Sequence, residues 1–570
     1  MIKIKHVKQA VLLTAIIGFG VAVMQVTAFA NKTDKVTYLE QNWTAEDREY
    51  FYFADQGSRL VPYDYFLHLE QAESSTSFRS DANMKRLGLI PASKSENNPD
   101  ALPIGITRNG DYMGPTCAAC HTQQVTYQGE TIHIDGGQGF LHLNQFLSDL
   151  TAAMKATLDN ADKFDRFQTS VLGKDATAVE KVELKQGLQK IYEKRHAHML
   201  HNHSDVPSGN SRLDAFGAIL NQALLATGVE GNRNSPNAPT SIPYIWDTPQ
   251  HDYVEWNGSQ SNTGVGALAR NIGEVIGVFG DIDTETKKWL GFIDGGYPSS
   301  IQTSELRQLE HTVSKLHSPL WPASFPEIDE ALAKQGRGLY EQHCVQCHLD
   351  IDRTDPKRLI QVRMSTVGEI KTDPLMAENA IRFKGKTGKF EGRPRYYFIG
   401  DALPAEAPAI HTANNIMVGI VKNSPLQAYL AKRDAKALGH PDVNRPPKYV
   451  DGSIIEKGQE VSDHALLAYK ARPLNGIWTS APFLHNGSVA NLYQLLLPAN
   501  ERVKHFHLGT WAFDPKNVGY VDVATENDFM FDTSLPGNSN AGHEYGTGSY
   551  GKPALTEDER WALVEYMKTL

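Results

Sequence analysis

The chain has 570 residues, 41% of them hydrophobic, enough to bury a large core and to form more than one domain. With 56 basic against 66 acidic residues its formal charge is −10, which makes nucleic acid and anionic membrane surfaces poor partners. All four cysteines fall in two C-x-x-C-H units, so none is left over for a disulfide.

In chain order, Lys3, Lys5 and Lys8 precede an apolar run at 10–26 and the small-x-small "AFA" at 28–30, the pattern of a secretory leader over residues 1–30. An uncleaved anchor is the alternative reading, though the run is slightly short for a comfortable span. Removing the leader lysines takes the chain to about −13 and places it in the periplasm or outside the cell. Residues 45–73, rich in aromatic and charged residues and broken at Pro62, read as an N-terminal extension.

The first motif is Cys117-Ala118-Ala119-Cys120-His121. Two thiols on one short turn can add across the two vinyl groups of a haem while the next residue places its imidazole on the iron. A redox dithiol, or a zinc site shared by both pairs, would need no histidine after each pair. Helical apolar spacing follows at 139–172 and 176–200, and the second stretch ends in His196, His198, His201 and His203 at a polar end, read as solvated surface rather than a metal site. Residues 212–228 predict an apolar helix that is buried or lines a cavity, stopping at Gly228 before a Pro- and Asn-rich loop. Trp246 and Trp256 lie just beyond, either as buried aromatics or between two haems.

Three prolines in 317–327 read as a linker, and residues 328–348 form an amphipathic helix running into Cys344-Val345-Gln346-Cys347-His348. Thr556 with Glu559 marks a capping box opening a final helix. Opening helix, haem motif and closing helix are the parts of a class I cytochrome c domain. The expected architecture is therefore mainly α, with two class I cytochrome c-like haem domains, long loops and the N-terminal extension. Its expected divisions are 1–30 leader, 31–325 first haem domain with a helical insertion, and 326–570 second haem domain.

Each haem takes its motif histidine, His121 or His348, as proximal ligand, and the sixth position decides its role: filled by protein it carries electrons, open it can react. Of nineteen other histidines, His485 and His543 sit among Gly and Asn residues that let a backbone approach a cofactor closely. Met417 is a sulfur candidate at helical spacing, where methionine commonly fills core. These three residues stay open as sixth ligands on the residues alone.

The stretches "PTCAACHT" (115–122), "IDGG" (134–137), "YKARPLNGIWTSAPFLHNGSVANLYQLLLP" (469–498), "NVGY" (517–520) and "GNSNAGHEYGTG" (537–548) resemble the bacterial diheme cytochrome c peroxidase superfamily. More narrowly they are similar to its diheme rubber oxygenases and periplasmic unsaturated fatty-acid dioxygenases. The resemblance spans nearly the whole mature chain. It implies two covalently attached c-type haems: a reactive one on Cys117, Cys120 and His121, and a relay on Cys344, Cys347 and His348. It implies His543 as the relay's second axial ligand, with His485 orienting a propionate or the contact between halves. True peroxidases of the superfamily use a methionine on the second haem.

The expected activity is a haem-dependent dioxygenase acting on an unsaturated hydrophobic substrate, a fatty acid or a polyisoprene-like polymer. Ala218, Ile219 and Leu220 are candidate pocket walls, and core packing is their alternative role. Arg212 could meet a fatty-acid carboxylate, although one arginine identifies no substrate. The alternative is a peroxidase reducing hydrogen peroxide, which needs a distal group to shuttle a proton. Gln222 and Glu230 lie in the right part of the chain without reproducing the peroxidase spacing. A bare electron-transfer cytochrome is the third reading, and the chain is larger than two carriers need. A periplasmic electron donor is the expected protein partner. Calcium, oligomeric state and the donor's identity carry no signature of their own.

Overall fold

The first C-x-x-C-H unit sits on a single 3-10 turn, Cys117–Ala119, wedged between two β-structures. Before it, Val61–Pro62, Tyr112–Pro115 and Ile106–Asn109 form a three-stranded sheet. After it, Thr122–Tyr127 and Glu130–Asp135 form a hairpin, with Lys35–Tyr38 added in parallel at its edge. The turn packs so closely on Gly105 that a Cβ there would lie 2.2 Å from the Ala119 backbone, and at φ +88° only glycine adopts the conformation without strain. The structure is a computed structural model that describes residues 35–286, 288–289, 292–442, 448–449, 467–525 and 528–570, so the predicted leader lies outside the described residues.

Three helices follow the hairpin: Leu143–Asp159, Ala161–Leu172 and Ala178–His201. Asn160 ends the first and caps the second with its side chain on the Lys163 amide, and Thr177 with Glu180 makes a capping box for the third. Their apolar faces close a core around Phe78, Phe146, Leu150, Met154 and Leu188. The predicted 212–228 helix is Ala215–Leu225, and it packs with Gly266–Gly277 and with Ala409–Asn423 from the second half of the chain. Met417 belongs to this packing, its sulfur 2.9 Å from where a Cβ on Gly273 would stand. It fills core.

At the second motif, the Glu330–His343 helix delivers Cys344 as its C-cap residue and packs against the closing Glu557–Lys568 helix. The capping box of Thr556 and Glu559 forms as the sequence predicts. Gly336 is the contact point, where a Cβ would fall 1.9 Å from the Ala562 carbonyl oxygen.

The expectation of a mainly α fold is overturned. The described residues form nine small sheets of two or three strands alongside the helices, a mixed α/β architecture. Nor do two class I cytochrome c-like units form: the opening and closing helix pair belongs to the second motif, whereas β-structure flanks the first. The reason is local. Most strands are only two to four residues long, too short to show alternation, and the hairpin strands are buried on both faces with Gln123 and Gln124 inside.

Residues 317–327 are irregular but not free. Phe325 stacks on Phe513 and contacts Trp478, whose indole donates to the Pro319 carbonyl. One apolar cluster runs from Trp43 through Trp246 and Ile416 to Met567, joining both halves. Among the described residues no helix is long and apolar enough to cross a membrane.

Candidate functional site

Each C-x-x-C-H unit opens onto a cavity. The first, about 250 Å³, is lined by Cys117, Cys120 and His121 together with Phe51, Leu141, Leu213, Ala218 and Ile219. The second, about 200 Å³, is lined by Cys344, Cys347 and His348 and by His343, His485 and His543. Ser241, Ile242, Pro243, Trp256, Lys470 and Arg472 line both, so they form the wall between them.

The two motif histidines are held alike. His121 Nδ1 donates to the Pro243 carbonyl at 2.9 Å and His348 Nδ1 to the Arg472 carbonyl at 2.6 Å. A backbone acceptor on Nδ1 fixes the ring and the tautomer and leaves Nε2 free to ligate a metal. Burial, with minor help from Arg472 and Arg270, pushes the His121 imidazole down to about 4, and burial alone lowers His348, so both rings are neutral and ligand-ready at pH 7.

The thiols are equally suited to attachment and unsuited to other chemistry. Burial pushes Cys117, Cys120 and Cys344 up to about 12 and Cys347 to about 11, so they are neutral rather than activated thiolates. No disulfide forms.

His543 faces His348 across the second cavity, with ring centres 6.1 Å apart. A metal between two imidazoles needs a bond of about 2 Å on either side and about 1 Å more to each ring centre, roughly 6 Å in all. The pair is spaced as two imidazoles on opposite sides of one iron would be. Gly542 and His543 are both left-handed, at φ +75° and +51°, and a Cβ on Gly542 would lie 2.3 Å from the Lys371 backbone. The loop is tied down by the His543 amide on the Ile370 carbonyl and by buried Arg502, which donates to the carbonyls of Asn540 and Gly542. Burial pushes the His543 imidazole down to about 3, with His348 and Arg502 adding to the effect.

His485 also lines the second cavity, stacked on Tyr469 with ring centres 4.0 Å apart. Its Nε2 is buried without a partner, as are His343 Nε2, Thr372 Oγ1, Ser480 Oγ and Arg472 Nε around the same space. Buried polar atoms of this kind call for a polar partner, and the propionate carboxylates of a haem would fit that need.

The first cavity is different. Among the described residues that line it, His121 is the one histidine, and no methionine is present. Its polar end holds Glu255, Arg270, Glu274, Glu310 and Lys470. Glu274 lines the cavity half-buried, and desolvation, then the neighbouring Glu255, push its carboxyl up to about 8 despite Arg270. Glu255 itself is held in the left-handed region at φ +65°. Sequence patterning gives no hint of this pair, since the two lie 19 residues apart, one in a loop and one on a helix.

The other predicted residues are scattered. Ala218 and Ile219 line the first cavity, whereas Leu220 faces the core at 1% exposure. Gln222 lines neither cavity; its amide bonds to His198 Nδ1, and Glu230 is exposed. Met417 lines neither. Arg212 is buried away from both, donating to the carbonyls of Ser208 and Pro239 and to Asn538. Trp256 stands on the shared wall and Trp246 lies behind it. The histidine run is not wholly solvated: His198 and His201 dock on the Ala215–Leu225 helix through Gln222 and the Asn221 carbonyl. Among the described residues, no group of three or more His, Cys, Asp or Glu is placed to hold a bare metal ion.

Thioether-ready cysteine pairs with carbonyl-anchored histidines define a c-type haem protein. In agreement, residues 468–507, which supply Lys470, Arg472 and His485, match the family model described as RoxA-like, cytochrome c-like. The chain is 33% identical to the uncharacterized protein y4iJ of Sinorhizobium fredii, over 95% of its own length and 94% of the relative's, and it belongs to the same family. A second protein of that organism, y4iM, also uncharacterized, is 26% identical over 64% of this chain and 73% of its own. The matched domain points to a haem-containing oxidoreductase.

Proposed function

We propose that the chain carries two c-type haems and is an oxygenase for an unsaturated hydrophobic substrate, with the reaction in the first cavity and the second cavity serving as electron relay. The observation that carries this is the asymmetry of candidate iron ligands: one imidazole in the first cavity, a facing pair 6.1 Å apart in the second. A haem with an open position supplies oxygen chemistry, and one held on both faces supplies only electrons.

The chain's own residues do the rest. Phe51, Leu141, Leu213, Ala218 and Ile219 make an apolar wall that excludes water and holds a hydrocarbon. His121, anchored on the Pro243 carbonyl, sets the orientation of the group it ligates. Cys117 and Cys120 fix that group covalently, so it cannot tilt to meet the substrate. A leader at 1–30 and an electron donor in the same compartment complete this reading, which assigns the protein to the periplasm.

The alternative, peroxide reduction, has one observation in its favour. Glu274 beside Glu255 is a carboxyl that stays largely protonated at neutral pH inside the first cavity, suited to moving a proton between two oxygen atoms. Gln222, tied to His198, does not take that role.

The test is dioxygen uptake by the matured protein with oleate, linoleate and polyisoprene. The oxygenase predicts products heavier by two oxygen atoms without added peroxide; turnover only with hydrogen peroxide and a reduced donor would establish the alternative. Carbon monoxide should bind half of the haem.

A further inference from the structure

The wall between the cavities is stapled by two short segments, 243–246 and 472–475. Tyr244 donates its hydroxyl to the Pro473 carbonyl at 2.6 Å, and Trp246 its indole to the Asn475 carbonyl at 2.9 Å. Arg472 donates back, from Nη2 to the Tyr244 carbonyl at 2.7 Å, with its guanidinium 3.7 Å above the Tyr244 ring. Tyr244 in turn stacks on Trp246 with ring centres 4.4 Å apart. Each segment also holds one motif histidine: Pro243 accepts from His121 and Arg472 accepts from His348.

These contacts make one continuous chain. It runs from His121 to the Pro243 carbonyl, along one residue to the Tyr244 carbonyl, across to the Arg472 guanidinium, and through Arg472 to the carbonyl that holds His348. Arg472 is the only side chain in it besides the two imidazoles. It is 7% exposed, lines both cavities, and forms no carboxylate ion pair among the described residues. A buried cation without a carboxylate is costly unless another anion or dense hydrogen bonding offsets it. Here the Tyr244 carbonyl and ring do part of that, and Arg472 Nε is left without a partner.

We propose that Arg472 is a positioning residue that links the two proximal histidines into one unit and places its positive charge between both haem sites. This rests on the two-haem reading above. Two consequences follow from elementary electrostatics and ligand chemistry. A buried cation shared by two irons favours the less positive, ferrous state of each, so it raises both potentials. The geometry of each Nδ1–H bond sets the basicity of its imidazole toward iron, so a shift of Arg472 reaches His121 through Tyr244 although the two side chains share no hydrogen bond.

The test uses the full-length matured protein. Covalent haem content and carbon monoxide stoichiometry of the wild type check the two-haem reading by themselves. Potentiometric titration of Arg472→Gln then checks the proposal: both midpoint potentials should fall together with haem content unchanged, and Arg472→Lys should restore most of the loss. A fall confined to one haem, or none, would overturn it. If Arg472→Gln fails to mature, Arg472→Lys carries the test through the hyperfine-shifted Nδ1 proton resonances. Those of both His121 and His348 should move, and movement of the His348 resonance alone would refute the link.

Discussion

Two glycines two residues apart on the Glu330–His343 helix should respond to the same substitution with opposite sign. At Gly338 a Cβ meets nothing within 4 Å, so Gly338→Ala gains the ordinary helix preference of alanine, up to about 1 kcal/mol. At Gly336 the added Cβ would stand 1.9 Å from the Ala562 oxygen, 2.5 Å from its carbonyl carbon and 2.8 Å from Tyr566 Cβ. Two of these three atoms are backbone and cannot rotate away, so the helices must separate by more than about 1 Å to reach normal contact. Overpacking of this kind costs about 1–3 kcal/mol, and separation would also loosen the Tyr340 and Tyr566 rings, now 5.1 Å apart. Set against the same alanine preference, Gly336→Ala should lose about 1 kcal/mol. Thermal and urea unfolding of matured protein, followed by Soret absorbance, would show a transition about 1 °C lower and a lower urea midpoint for Gly336→Ala, and both unchanged or higher for Gly338→Ala. Equal shifts, or a stabilised Gly336→Ala, would refute the inferred helix contact.

Three other predictions concern the cavities and a buried ion pair. His543→Ala should render the second haem high-spin and able to bind carbon monoxide, doubling the bound amount; an unchanged spectrum would place the ligand elsewhere. Burial and Glu255 raise the Glu274 carboxyl from its ordinary 4.5 to about 8, so it retains a proton in the fold that the unfolded chain has lost. The stability this confers is present below about pH 4.5 and is lost as pH rises to about 8; Glu274→Gln should flatten that part of the stability profile, and an unaltered slope would contradict the assignment. Arg358 donates from Nε to buried Asp247 at 2.7 Å, so Arg358→Ala should cost about 3 kcal/mol in denaturant unfolding, and Arg358→Ala with Asp247→Asn distinctly less.

What could be read in advance was chemistry written in short contiguous strings. Both C-x-x-C-H units, the capping box at Thr556 and the apolar helix expected over 212–228 are local signals, and the structure forms the box and places the helix at Ala215–Leu225. Flanking glycines put His543 beside His485 and Met417 as an open candidate, and the family resemblance is what prefers it; the left-handed backbone at Gly542 and His543 is the physical content of the glycine signal. The strands before the first motif escape a sequence reading because two to four residues carry no period, and the six-residue hairpin strands after it because they are buried on both faces. Gln222 was favoured from chain position alone, yet a quarter-turn of helix decides whether an amide meets a cavity or, as here, His198. The Glu255 and Glu274 pair and the link through Arg472 depend on loop paths, which no spacing rule encodes.

The core shared by both halves also governs how this molecule can be made. The Ala215–Leu225 and Gly266–Gly277 helices bury apolar surface against Ala409–Asn423, which leaves the ribosome more than 130 residues later. A fragment ending at the 317–327 segment would display Leu224, Ile272 and Ile276 to water and would be prone to aggregate. Dissecting the chain into two separately expressed haem carriers should therefore fail. Co-expressed halves would have to find each other to become soluble, and cofactor attachment at Cys117 and Cys120 would precede the closure of the wall around them.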